Sequence, residues 1–231
     1  EFFKNADALA EEKTNLVKVL TPSDYAVLNS DDSKVLNMKS KTKANVFTYG
    51  FGESSTIKIS EFKNIYTSES NPAGVAFKIS KSSESVSINV YGSLVKTLAY
   101  AAAAATAVGL GLGMNLLEIG EALKKYKGPK GRLKIISGIN NSIVIDDTYN
   151  ASPSSTRLAL EMLQELSGSR KIAVLGDMLE LGQYAIEAHR DIGLITAASA
   201  DILVCVGPLA KFIAETSKIP KDKIFIFNTS N

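Results

Sequence analysis

The run Ile143-Val144-Ile145-Asp146-Asp147-Thr148-Tyr149-Asn150 places two carboxylates immediately after three β-branched residues, and Pro153 then opens a helix. Carboxylates at the carboxyl end of a strand, just before a helix, stand where open α/β sheets bind their ligands. The plainer alternative is that Asp146 and Asp147 only end a strand and start a turn. Two more strands end in a comparable way, at Gly176-Asp177-Met178 and at Gly207-Pro208. All three ends are expected to line up along one edge of a parallel sheet. Arg132 lies upstream of the acidic pair; a guanidinium suits a phosphate because its rigid fork donates two hydrogen bonds. His189 is the single histidine; a lone helical histidine is more often a surface residue than a catalyst.

The elements that must carry these groups follow from periodicity. Residues 7–20 form an amphipathic helix with Leu9, Leu16, Val17 and Leu20 on its apolar stripe, closed by Thr21-Pro22. Ala26–Leu28 and Asn45–Tyr49 read as strands, separated by a polar, Lys-rich helix or loop over 33–43. Period-two stretches in 56–66 and 74–91, broken at Ser68–Pro72 and Lys81–Glu84, predict hairpins in an antiparallel or mixed sheet. An Ala-rich helix over 93–108 ends at Gly109, Gly111 and Gly113, and Asn115 caps a second helix over 116–126. The segment Lys127–Gly131 is basic and rich in breakers, which makes it the expected domain boundary. Beyond it, strands 133–137, 142–145, 171–175, 202–206 and 223–227 alternate with helices 153–167, 183–199 and 208–217, the rhythm of βαβ units.

Composition narrows the possibilities. The 231 residues are 45% hydrophobic and 22% charged, an ordinary globular mixture, and 26 Lys and Arg against 24 Asp and Glu leave a net charge of +2. That balance argues against nucleic acid or an anionic membrane as the main partner. Cys205 is the only cysteine, so no internal disulfide forms, which fits a reducing compartment. No signal peptide or membrane-spanning run is recognisable. The chain starts at Glu1 and stops at Asn231 just after a strand-like run, so a piece of a longer chain is expected.

Three ordered motifs carry a resemblance. IDDTYNASPSS, then RKIAVLGDMLELG, then EAHRDIG closely resemble the carboxy-terminal region of the Mur ligase family, with compatible spacing and on the expected elements. Upstream, EFFKNADALAEEK, AVLNSDD and the Ala-rich helix resemble the family's central domain in the expected order. The fold so implied is α/β: residues 1–130 as the carboxy-terminal part of a central ATPase domain with a mixed sheet, then 131–231 as a Rossmann-like parallel-sheet domain, incomplete at its carboxyl end. The activity implied is an ATP-dependent amide-bond ligase of peptidoglycan precursor synthesis. ATP phosphorylates the carboxylate of a UDP-N-acetylmuramoyl-tripeptide, and the amine of D-alanyl-D-alanine attacks the acyl phosphate. The alternatives are a folylpolyglutamate-type or cyanophycin-type ligase of the same superfamily, or a non-catalytic relative that keeps the fold for binding.

By the same resemblance, Lys13 matches a carbamylated lysine that holds Mg2+, Arg132 contacts the phosphates, and Asp147 contacts the ribose or the domain hinge. Arg132 and Asp147 lie 15 positions apart (147 minus 132), as the family's pair does. Asn150, Ser152, Asp177, Glu180 and His189 fall on the amino-acid side, where a carboxylate orients or deprotonates the incoming ammonium. The expected protein is a cytoplasmic monomer with ATP and Mg2+ and no nucleic-acid or membrane partner. Two departures stand out. No G-x-x-x-x-G-K-[ST] loop occurs in the sequence. Leu94, Val95 and Leu98 stand where the family carries a histidine and two asparagines that touch the nucleotide. A piece with these departures, lacking the loop, is expected to show no ligase turnover alone.

Overall fold

A computed structural model describes residue 3 and residues 5–67, 71–126 and 128–229. Most of the first turn segment expected at Ser68–Pro72, and Lys127 of the expected boundary, lie outside the described residues. The chain forms two compact units, one from residues 2–67 and 72–128, the other mainly from Pro129–Asn231.

The first unit is a five-stranded mixed sheet in the order β1 (Tyr25–Asn29), β2 (Asn45–Gly50), β3 (Ile57–Tyr66), β4 (Pro72–Lys81), β5 (Glu84–Tyr91). Its first three strands run parallel, β4 pairs antiparallel with β3, and β5 pairs antiparallel with β4. The period-two positions Ile57, Ile59, Val75, Phe77, Ile79, Ile88 and Val90 all face one core. Helix α3 (Lys96–Gly111) packs on it through Ala99, Ala103 and Ala107, small side chains four residues apart that allow a close approach. The helix starts three residues later than its pattern suggests, because Leu94 and Val95 are themselves buried as the chain enters. Gly109 does not end α3. It lies inside it, where an added Cβ would come within 2.9 Å of the Ile119 side chain on α4 (Leu116–Lys124). The turn falls at Gly113, whose φ of +86° suits glycine. Asn115 and Glu118 then cap α4 reciprocally.

Helix α1 (Ala6–Lys18) corrects the expected apolar stripe. Val17 is buried beside Ala26, Leu28 and Met38, and Leu20 packs against that cluster, but Leu16 is 68% exposed and Leu9 39%. The Lys-rich stretch after β1 is a short helix, α2 (Ser33–Asn37), continued by one 3-10 turn that tucks Met38 inward.

In the second unit β8 (Ile172–Gly176), β9 (Ile202–Val206) and β10 (Ile224–Phe227) form a parallel sheet in the order β10-β9-β8. Helices α5 (Pro153–Glu165), α6 (Ala185–Thr196) and α7 (Lys211–Thr216) contribute Leu160, Ile192 and Ile213 to a core with Ala173, Leu203 and Cys205. Strands β6 (Lys134–Ser137) and β7 (Ile143–Asp146) depart from expectation. They pair antiparallel with each other as a separate two-stranded sheet, and Val144 is 47% exposed. Ile143–Ile145 is therefore not a buried strand of the parallel sheet. The reason is the five-residue link Gly138–Ser142: it can close a hairpin, whereas parallel neighbours need a crossover of a dozen residues or more. Asn140 and Asn141 take φ of 52° and 58°, and Gly138 N–H donates to Ser142 O at 2.8 Å. No helix among the described residues is long and apolar enough to cross a membrane.

Candidate functional site

The hairpin β6–β7 builds a corner in which two carboxylates hold two stretches of backbone. Asp146 Oδ2 accepts from Gly131 N–H at 3.2 Å, and its Oδ1 accepts from the Thr148 hydroxyl at 2.6 Å and Thr148 N–H at 3.2 Å. Asp147 Oδ1 accepts from Leu133 N–H at 3.1 Å. Tyr149 N–H returns to Gly131 O at 3.1 Å, closing the corner. Gly131 takes φ of +69°, and a Cβ there would sit 2.9 Å from the Tyr149 nitrogen, so this approach requires glycine.

Between buried Gly131 and Leu133, Arg132 projects outward, and its Cζ lies 4.2 Å from the centre of the Tyr149 ring. The carboxylates are engaged with backbone N–H groups, so the guanidinium rests on an aromatic face and keeps donors for an incoming anion. The corner also sets the two acids apart. The Thr148 hydroxyl, followed by backbone N–H groups, lowers the pKa of Asp146. Burial, the largest influence, raises that of Asp147 against the opposing Leu133 N–H and Arg132.

A second constellation lies at the ends of β8 and β9. Asp177 Oδ1 accepts from Leu209 N–H at 2.9 Å and Ala210 N–H at 2.7 Å. Gly207, at φ +118°, leaves room for this carboxylate; a Cβ there would come within 2.4 Å of Oδ1. His189 is fully buried on α6. Its Nε2 lies 2.9 Å from Met178 N, and its Nδ1 2.6 Å from Ala185 O. Because Met178 N–H can only donate and Ala185 O can only accept, the ring is the neutral Nδ1–H tautomer. The one histidine is thus an interior strut, not a surface residue. Glu180 is exposed at φ 61° in the following loop.

Of the residues singled out in the sequence, Arg132 and Asp147 come together in one corner. Asp177 and His189 meet at one loop, with backbone as their partners. The ends of β8 and β9 adjoin as expected, but Asp146-Asp147 belongs to the hairpin and not to that sheet edge. Asn150 accepts from Ala151 N–H at 2.9 Å, and Ser152 caps α5 by exchanging bonds with Ser155. Lys13 is exposed on α1 in the first unit. No group of three or more His, Cys, Asp or Glu among the described residues is placed to hold a metal ion.

Sequence reasoning did not anticipate Tyr149; its aromatic character beside the acidic pair was the available signal. It also gave no role to Asp31. That carboxylate accepts from Phe51 N–H at 2.7 Å, Gly52 N–H at 3.0 Å and the Tyr100 hydroxyl at 2.9 Å, fastening the loop after β2 to α3. Burial, aided by this bond, pushes the Tyr100 pKa up to about 12. Leu94 and Val95 are buried, and Leu98 packs against the core of the first unit.

Comparison with known proteins bears on this arrangement. The Mur ligase middle domain matches residues 1–109, and the Mur ligase glutamate ligase domain matches residues 131–230. The UDP-N-acetylmuramoyl-tripeptide–D-alanyl-D-alanine ligase of Buchnera aphidicola (subsp. Baizongia pistaciae) is 31% identical over 226 residues, which are 94% of this chain and 46% of that protein. The structure of MurF from Acinetobacter baumannii superposes with a TM-score of 0.81 at 27% identity, covering 98% of this chain and 47% of the other. MurF ligase from Thermotoga maritima in complex with ADP has the same fold, with a TM-score of 0.78 at 24% identity over 98% of this chain and 49% of that one. The chain spans about half the length of the curated relatives it matches. With both domain families matched in order, and with the mixed-sheet and parallel-sheet units they entail, the chain belongs to the Mur ligase family.

Proposed function

We propose that this chain supplies the nucleotide-facing central region (1–130) and the carboxy-terminal domain (131–231) of an ATP-dependent ligase that joins D-alanyl-D-alanine to a UDP-N-acetylmuramoyl-tripeptide. The observation that carries the reading is the hairpin corner. It holds an exposed guanidinium on the Tyr149 ring beside a half-buried carboxylate, in a chain whose relatives are ligases of that specificity. Arg132 binds the nucleotide phosphates through its planar fork. Asp147, with one oxygen on Leu133 N–H, accepts from a ribose hydroxyl through the other.

The difficulty of the reaction is that a carboxylate is a poor electrophile. Its oxygen attacks the terminal phosphorus of ATP and ADP leaves. The amine then attacks the acyl carbon, and inorganic phosphate departs with the electron pair of the C–O bond. The ammonium must first lose a proton, and Glu180, exposed in the loop that follows Asp177, orients it in this reading. In this reading Asn150 and Ser152 also belong to the amino-acid side, and Asp177 and His189 serve it by holding the loop after β8. Lys13, as a carbamate, would contribute to holding Mg2+, which neutralises phosphate charge when bound. A cytoplasmic location and a monomeric state accord with the soluble substrates.

Titration of ADP into the chain, followed by calorimetry, tests this reading. Binding that weakens at least tenfold in Arg132→Ala supports it; no binding by the unsubstituted chain at millimolar ADP sinks it. A second reading, a relative that keeps the fold without catalysis, rests on Leu94, Val95 and Leu98 being committed to packing. The same titration separates the two, because a scaffold need not bind nucleotide.

A further inference from the structure

Beyond its first turn, helix α3 carries no charge: no Asp, Glu, Lys or Arg occurs between Thr97 and Leu117. The helix packs on the sheet through Ala99, Ala103 and Ala107, yet Ala101, Ala105, Val108 and Leu112 are exposed, Leu112 with 79% of its surface. A helix apolar on all sides is ordinarily covered on all of them. Here α4 covers the outer face only in part. A groove of about 300 Å3 remains between the two helices, lined by Ala105, Gly109, Met114, Ile119 and Ala122 and, at the carboxyl end of α4, by Lys125 and Tyr126. A mostly apolar lining with one or two polar groups at a fixed place is the pattern of a small-molecule site. Lys124 is held by Glu121 at 2.6 Å, whereas Lys125 is exposed and forms no ion pair with a described carboxylate. From Ala122 to Ile145 the sequence carries Lys124, Lys125, Lys127, Lys130, Arg132 and Lys134 and no acid. That end of the groove therefore favours an anion.

We propose that this groove binds an anionic amphiphile, its alkyl chain lying between α3 and α4 and its carboxylate meeting the Lys125 ammonium beside Tyr126. At roughly 30 Å3 per heavy atom, the 300 Å3 hold a chain of roughly ten. The chain supplies affinity by leaving water, and the ammonium selects the sign of the head group. The inference does not rest on the nucleotide reading above, and the groove lies wholly within the first unit.

The test is calorimetric titration of the chain with octanoate, decanoate, octanol and octyltrimethylammonium, each below the concentration at which it forms micelles. Burying one more methylene is worth about fourfold in affinity, so decanoate is expected to bind about fifteenfold more tightly than octanoate. Octyltrimethylammonium is expected to bind at least tenfold more weakly than octanoate. Ala122→Phe, which fills the groove, should weaken decanoate at least tenfold. Lys125→Glu, a surface change that keeps the test alive if Ala122→Phe fails to fold, should weaken octanoate several-fold and leave octanol within twofold. The proposal is overturned by no saturable binding, by equal affinity for the two head-group charges, or by decanoate binding that both variants leave unchanged. Binding to phosphatidylglycerol vesicles without binding of free decanoate assigns the surface to a membrane and overturns the groove. Self-association of the unsubstituted chain that Ala122→Phe abolishes, seen by sedimentation, assigns it to a second copy with the same result. The titration repeated on the whole ligase must reproduce the decanoate affinity, since its loss there shows the groove to be covered by the rest of the protein.

Discussion

The corner at Gly131–Asn150 and the loop at Gly176–His189 are made of the same kinds of residue, acids and a basic group at strand ends, and they resolve in opposite ways. In the loop, the Asp177 carboxylate meets two backbone N–H groups and both nitrogens of His189 are engaged within the fold. In the corner, the acids again accept from backbone, but the cation and its aromatic support face solvent. A polar side chain whose partners are all internal fixes geometry; one whose donors remain open is available to a ligand. The loop is the frame and the corner is the contact surface.

That contrast can be broken experimentally, most forcefully at the loop. His189→Leu fills the volume but leaves Met178 N–H buried without an acceptor. A destabilisation of about 3 kcal/mol is expected in urea denaturation, combining an orphaned donor with imperfect packing. A value near zero would remove the strut from the account. Asp177→Ala strips the acceptor from two backbone N–H groups and should cost about 2 kcal/mol by the same measurement. If instead it left stability intact and abolished ligand binding, the assignment of frame and surface would have to be exchanged.

At the corner, Arg132→Ala should change stability by less than about 0.5 kcal/mol, as surface substitutions do, while weakening tripolyphosphate at least tenfold. A large stability loss would make Arg132 structural. The smallest effect is in pH dependence, where the two acids carry opposite signs. Asp146 has its pKa below the ordinary 3.8 in the folded protein, so its contribution is present above that value and is lost as pH falls through the folded one. Asp147 has its pKa above 3.8, so its protonated form is favoured in the fold and stability is lost as pH rises through the raised value. Between about pH 5 and pH 3, Asp146→Asn should flatten the fall of the melting temperature on acidification, and Asp147→Asn should steepen it. Both variants shifting in the same sense, in a calorimetric scan, would show that the corner does not distinguish them.

Some of this was legible before any coordinates. The period-two stretches gave the strands of the first unit because each has one face on a core, and alternation is the direct consequence of that burial. Asn115 announced α4 because a side-chain cap is a local bond. The pairing of Arg132 with Asp147 rested on the motif resemblance alone; nothing in the local sequence pattern announced the hairpin whose corner holds both. Other features were read wrongly for reasons equally physical. Gly109 resembles a helix stop in one dimension, but the close approach of Ile119 makes it a packing residue. Leu16 fits the apolar stripe of α1, yet it is left to solvent while its neighbour Val17 is buried. Ile143–Ile145 has the composition of a buried parallel strand, while the brevity of Gly138–Ser142 turns it into half of an exposed hairpin.

The sequence by itself determined the elements, their caps and the family, because these depend on residues near one another in the chain and on motifs with fixed spacing. Only the tertiary structure decided which polar groups were left for a ligand. Whether Asp177, His189 or Arg132 finds a partner inside the protein depends on backbone donors and aromatic faces brought in from elsewhere, up to 33 positions away for Asp177 and Ala210. Hydrogen-bonding capacity belongs to a residue type; whether it is already used belongs to the fold.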